Sequence, residues 1–227
     1  MLSGGGGAIE EARDAARAVL RGGDVRFEGG VEKPLGEKGR RTRETILRAA
    51  GETFMDLGWS ATTIGAIAER AGVGTGTLYQ YFRAKEDVLA ALVGEWVLGA
   101  LEQLRAWDPH DGREGLHRIL GRFVAGYAAT HRFQAVWEEL TNVEPTLLAL
   151  RMQLTDAYVA IFAEAFTVGA REGLCDPGDD PVETARALCS MADRYCHQVF
   201  VQRADHTTPA RATDLLTDLW AAAIRLG

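Results

Sequence analysis

The sequence predicts an all-α protein, a small N-terminal helical domain followed by a larger one. Three observations carry that expectation. Ala, Leu, Arg and Glu dominate, only six prolines interrupt the 227 residues, and 47% of the residues are hydrophobic, a balance that favours helix and allows a sizeable core. Apolar residues recur at three- and four-residue intervals along most of the chain, as they do on helices with one buried face. The length exceeds that of a lone binding module and suits one small domain joined to a medium one.

Residues 1–37 read as an extension expected to be flexible. Runs of glycine flank a helical stretch from Ile9 to Leu20 whose apolar stripe is thin. At Lys38 a short basic arm, Lys-Gly-Arg-Arg-Thr-Arg, begins. Thr42 can cap the helix after it, and Ile46, Ala50, Phe54 and Leu57 line one face of that helix until Gly58. Residues 62–82 then hold two shorter helical patterns that meet at a tight turn. Ile64, Ile67, Ala68 and Ala71 share a face of the first, which Thr62 or Thr63 can cap. Gly72 tolerates the left-handed backbone that ends a helix, Val73 suits the angle between two helices, and Gly74 can cap the next. The second pattern buries Leu78 and Phe82 and leaves Thr75, Thr77, Gln80 and Tyr81 on or near its other side. Together they form a helix-turn-helix, whose second helix lies in the DNA major groove.

The residues Thr62-Thr63-Ile64, Ile67-Ala68, Ala71-Gly72-Val73, Gly76, Leu78-Tyr79, Tyr81-Phe82, Lys85-Glu86 and Leu89 resemble the N-terminal run of the TetR-type bacterial transcriptional regulator family. Two positions depart from the family pattern. Gly74 stands where a capping Ser is usual, and Gly65 stands where a more helix-favouring, often acidic residue is usual, at a cost of roughly 1 kcal/mol relative to alanine. The resemblance covers residues 40–90 or so and implies a helix-turn-helix DNA-binding domain at 38–84 and a ligand-binding and dimerisation domain at 85–227. It also implies a repressor that binds palindromic double-stranded operator DNA as a homodimer and leaves it when a small-molecule effector binds. Thr75, Thr77 and Gln80 are then expected at base edges; Thr62, Tyr81, Lys85, Arg41 and Arg43 at phosphates; and Tyr79 at either.

Lys85 to Leu104 reads as one helix with Val88, Leu89, Leu92, Trp96 and Leu101 on its buried face. Asp108-Pro-His-Asp-Gly makes a loop, and helices are expected at about 113–130, 133–141, 145–172, 181–203 and 208–226. In the family the effector lies among the first four of these. Their aromatic-rich content gives the expected lining, Phe123, Tyr127, Trp137, Glu138, Met152, Tyr158, Phe162, Met191 and Tyr195, suited to a mostly apolar molecule with one or two polar handles. The last two helices, residues 181–226, carry Ala185, Leu188, Ala192, Val199, Leu215, Leu216, Leu219 and Ala223, and the resemblance implies that they pair with their copies in a four-helix bundle.

The net charge of −7 argues against nucleic acid only until its distribution is counted. Residues 38–85 hold eight basic and four acidic side chains, a balance of +4, which leaves −11 for the rest. A basic head on an acidic body suits docking to DNA by one end. No apolar run approaches roughly 18 residues and the N-terminus has no signal-peptide pattern, so a cytoplasmic protein with no membrane partner is expected. Cys175, Cys189 and Cys196 include no Cys-x-x-Cys pair and fit an apolar stripe, so packing is expected of them rather than a metal. Neither a P-loop, a dinucleotide fingerprint, a nucleophile elbow nor a His-x-x-x-His pair occurs, so no enzyme activity and no cofactor are expected. The alternative is a helical oligomerising or adaptor protein without specific DNA binding.

Overall fold

The computed structural model describes residues 7–14, 25–28, 31–103, 107–141, 145–203 and 207–227. Residues 7–14 are helical, and the rest of the expected Ile9–Leu20 helix lies outside the described residues. Two short strands follow, β1 (Val25–Glu28) and β2 (Val31–Pro34), antiparallel with Val25 opposite Pro34 and Glu28 opposite Val31. This pair is an addition to the all-α expectation. Part of its signal is legible afterwards: Val25-Arg26-Phe27-Glu28 alternates apolar and charged residues, and Gly-Gly, a hairpin-turn dipeptide, follows in the sequence.

Helix α1 runs from Glu37 to Ala61. It starts five residues before Thr42, so the expected basic arm is helical. Glu37 pairs with Arg41 one turn on, and the Thr42 hydroxyl donates to the Lys38 carbonyl at 3.0 Å instead of capping. The break comes at Gly58, as expected, where φ is +75°. Then follow α2 (Ile64–Ala71), α3 (Thr75–Tyr79) and α4 (Lys85–Gln103). The Asp108–Gly112 loop forms a single 3-10 turn, Pro109–Asp111, with the Asp108 carboxylate accepting from the His110 amide at 3.0 Å. Beyond it lie α5 (Gly112–Ala129), α6 (His131–Thr141), α7 (Pro145–Arg171), α8 (Pro181–Cys196) with a π-helical turn at His197–Gln202, and α9 (Pro209–Ala223). Asp180 caps α8 by accepting from Val182 and Glu183 at 3.0 and 3.1 Å. These bounds lie close to the expected ones, because proline at the first turn and an N-terminal cap mark both α8 and α9.

Packing divides the chain into two compact units, residues 13–102 with 136–150, and residues 1–12 with 103–135 and 151–227. The grouping thus keeps α4 with the helix-turn-helix, whereas the sequence motif suggests a boundary at 84/85. In the first unit Ile46, Phe54, Ile67, Leu78 and Phe82 are buried, and Val73 is half-buried. In the second, Trp107, Leu116, Leu120, Val124, Phe162, Phe166, Ala185, Leu216 and Trp220 form one core. Trp220 is its aromatic hub, with the Phe162 ring 4.7 Å and the Phe166 ring 6.3 Å away, both edge-on. The apolar stripe expected to face a second copy is therefore divided. Ala185, Leu188, Ala192, Val199 and Leu216 are spent inside the chain, whereas Leu215 and Leu219, one turn apart on α9, are exposed, as is Val182 on α8.

His110 fastens the 3-10 turn to the end of α7: its Nδ1 lies 2.9 Å from Asp108 and its Nε2 3.0 Å from Glu172. The Asp108 hydrogen bond, then the charge of Glu172, hold the imidazolium above the ordinary histidine range. A raised folded-state pKa stabilises below the unfolded value, and that contribution disappears as pH rises through the folded one. NMR titration should find His110 above an ordinary histidine, and Glu172→Gln should bring it down. In urea melts, Leu216→Ala should cost about 2–5 kcal/mol.

Candidate nucleic-acid interface

Local chemistry positions α3. The Thr63 hydroxyl accepts from the Ala66 amide at 3.1 Å and so caps α2. At the far end Gly72 takes φ +67°, ψ 28°, and the Val73 amide reaches back to the Ala68 carbonyl at 3.0 Å, closing the helix in a left-handed turn. Gly74 is extended, and its carbonyl accepts from Thr77 and Leu78 at 2.8 and 3.1 Å to begin α3. Leu78 is fully buried beneath that helix. Thr75, Gly76, Tyr79 and Gln80 are exposed, and Thr77 is half-buried.

Four of the expected DNA contacts have other roles here. Tyr81, expected at phosphates, is only 6% exposed, whereas Tyr79 is 50% exposed, as an outward contact requires. The reason is helical spacing: Tyr81 and Phe82 stand three and four residues after Leu78, on the face that Leu78 buries. Thr62 is buried, and its hydroxyl donates to the Gly58 carbonyl at 2.7 Å. Lys85 donates to the carbonyls of Trp59 and Thr62 at 3.0 and 3.2 Å, with its ammonium 4.2 Å from the centre of the Trp59 ring. It stabilises the C-terminal end of α1, where cations are favoured. Arg43 is buried between α1 and α4, bonded through Nη1 to Glu95 at 2.8 Å and placed 5.7 Å from the Phe82 ring, while its Nε and Nη2 have no partner. Arg41 is exposed and paired with Glu37.

Positive charge at the surface of this unit includes Lys38 and Arg41 of the expected arm together with Arg48, which was not expected at DNA. Lys38 and Arg48 are exposed, and with Arg41 they stand on α1 at spacings of three and seven. That spacing was a legible signal, hidden by reading Lys38–Arg43 as an arm. Arg70 is paired with Asp56 at 2.7 Å.

The expected effector lining falls into both units. Phe123, Tyr127, Met152, Tyr158, Phe162, Met191 and Tyr195 belong to the second, and Trp137 and Glu138 to the first. Trp137 is buried against Trp96, their rings 5.8 Å apart. In the second unit Phe123 meets Tyr127 and Tyr158 edge-on at 5.8 and 6.0 Å. Phe162 is in the core, Met191 and Tyr195 pack partly buried against it, and Met152 lies on the surface at 59% exposure. Burial, with smaller contributions from Cys189 and Asp193, pushes the Tyr158 phenol up to about 12. Burial likewise pushes the Cys189 and Cys196 thiols up to about 12, which leaves them protonated and weakly nucleophilic. Among the described residues no group of three or more His, Cys, Asp or Glu could hold a metal ion, and no helix is long and apolar enough to cross a membrane.

A capped helix, a left-handed glycine turn and a second helix with an exposed polar face define a helix-turn-helix domain of the DNA-binding class. Residues 46–92 match the model of the bacterial regulatory proteins of the tetR family. The N-terminal helix-turn-helix domain is therefore of the tetR type. The transcriptional repressor KstR2 of Mycolicibacterium smegmatis is 32% identical over 100 residues, which are 41% of this chain and 46% of the relative. The regulator TcmR of Streptomyces glaucescens is 31% identical over 158 residues, 62% of this chain and 64% of its own. The chain thus spans about half the length of KstR2 and somewhat under two thirds of TcmR. Among solved structures, SmeT in complex with triclosan superposes with a TM-score of 0.63 at 23% identity, over 81% of this chain and 91% of SmeT.

Gln80→Ala should weaken operator binding by about 1–3 kcal/mol and relax specificity at one position, read by competition with operator variants. Lys85→Ala should lower unfolding free energy by about 1–3 kcal/mol, because it removes two charge-assisted hydrogen bonds and a cation–π contact from half-buried surroundings.

Proposed function

We propose that the chain is a one-component transcriptional regulator, a repressor that binds a palindromic DNA operator as a homodimer and is released by a small, mostly apolar effector. The observation that carries this reading is α3, anchored by the buried Leu78 and Phe82 while Thr75, Tyr79 and Gln80 are exposed. Side chains of these types can bond base edges, and the basic stripe Lys38, Arg41 and Arg48 on α1 supplies charge for phosphates. Repression is the role in the name of KstR2, and the triclosan in the SmeT complex supports an apolar effector here.

A single head makes few base contacts, so useful affinity calls for two heads spaced to match two half-sites. Leu215, Leu219 and Val182 are the exposed apolar residues that support pairing through α8 and α9. Leu219→Glu should leave the chain folded but monomeric in analytical ultracentrifugation and abolish operator binding; a stable dimer would move the interface elsewhere.

Gel-shift titration decides between this reading and the adaptor alternative. The regulator should prefer one palindrome over random duplex, with affinity falling steeply as salt rises. Equal, negligible binding to every duplex would favour the adaptor.

A further inference from the structure

Arg43 is charged, buried and incompletely bonded. It donates through Nη1 to the exposed carboxylate of Glu95 at 2.8 Å, while its Nε and Nη2 have no partner among the described residues. Burying a guanidinium against a single ionic partner is expensive, and well-packed apolar side chains in the same place would often be as stable or more so. Stability alone therefore does not account for the pair.

Arg43 stands where three parts of the first unit meet. Its own helix is α1, and its Cζ lies 5.7 Å from the centre of the Phe82 ring. Phe82 is buried and donates its amide to the Leu78 carbonyl at 3.0 Å, which fastens it to the end of α3. Glu95 belongs to α4. A second contact between α1 and α4 lies eight residues, about two turns, further along α1 at Gly51, where a Cβ would meet both terminal methyl carbons of Leu92 at 3.6 Å. Two separated contacts fix the direction of α4 against α1, and the first runs through the guanidinium that also faces Phe82. Both Arg43 and Glu95 lie outside residues 46–92, the part that matches the tetR model.

We propose that Arg43 is a positioning residue for operator recognition: held by Glu95, its guanidinium fixes Phe82 and with it the direction of α3 against α1 and α4. This rests on the reading of α3 as the DNA-contacting helix, and it gives Arg43 an indirect part in place of the phosphate contact expected of it. Glu95 then favours DNA binding, although it is an acid in the unit that approaches a polyanion. An acid without that part would oppose binding by repulsion, so the sign of its effect separates the two roles.

The test uses the full chain, the duplex that the wild-type chain selects from a random pool, and a random duplex, below the melting temperature of every variant. Glu95→Ala should weaken binding to the selected duplex about tenfold, with random-duplex binding and the salt dependence unchanged. Arg43→Met/Glu95→Leu replaces the pair by apolar side chains; it should melt no lower than the wild type and still show the same loss. In both variants the amides of Tyr81 and Phe82, which bond the Leu78 carbonyl, should exchange with solvent about tenfold faster, and the Ile67 amide of α2 at the wild-type rate. Unchanged or tighter binding by Glu95→Ala, or a double variant that binds as the wild type does, would overturn the assignment. So would a salt slope lowered by about one in Arg43→Met, which would return Arg43 to a phosphate. If the wild-type chain selects no duplex, the regulator reading falls, and the exchange of Tyr81 and Phe82 alone decides whether Arg43 and Glu95 hold the end of α3.

Discussion

The recognition surface depends on one constraint, the left-handed turn at Gly72 closed over the buried Leu78. With φ at +67°, residue 72 sits where a side chain would meet the following carbonyl oxygen, at a cost of roughly 1–2 kcal/mol. Glycine avoids that cost, and the turn then sends the chain back so that Leu78 and Phe82 enter the core that Ile67 and Ile46 already share. Once those two residues are buried, the direction of α3 is set, and so is the identity of its outward residues.

The same economy explains where the cations went. An α-helix that ends against a neighbour leaves carbonyl groups to be satisfied, and Lys85 meets two of them at the end of α1 while lying on Trp59. Arg43 spans from α1 to Glu95 on α4 with only one of its nitrogens bonded in the structure described. Burying a guanidinium this way is expensive, and removing Glu95 alone would leave it uncompensated. Both residues looked like phosphate ligands because sequence shows the charge of a side chain and conceals its destination. Lys38 and Arg48 stay exposed on α1, whereas the motif's own lysine is taken up by carbonyl groups.

Helical periodicity made most of the fold legible, since its signal is local and repeated, and Gly58, Gly72, Pro181 and Pro209 made the breaks legible through backbone chemistry. What was hidden required a choice between neighbours. Leu215, Leu216 and Leu219 all fit one amphipathic stripe, yet only packing against the rest of the chain sends Leu216 inward and leaves the other two outside. Tyr79 and Tyr81 differed by the same kind of choice, although there the spacing from Leu78 was enough to decide it. The start of α1 was missed for another reason: Thr42 is a good cap in isolation, and the Glu37–Arg41 pair that extends the helix past it was not counted.

The glycines of the helix-turn-helix do not all follow from packing. A Cβ at Gly65 would meet only the Thr63 hydroxyl, at 3.8 Å; one at Gly74 only the Thr77 hydroxyl, at 3.9 Å; and at Gly76 there is nothing within 4 Å. Helix α3 is five residues long, far short of what is stable alone, and Gly76 weakens it further. Its shape thus comes from the anchors at Leu78 and Phe82, not from its own propensity. The open space at Gly76 has a different consequence: with no side chain on that exposed turn, the backbone itself can approach a partner surface closely, between Thr75 and Thr77. A weak helix with firm anchors and a bare first turn is suited to settling its final geometry against the groove it enters.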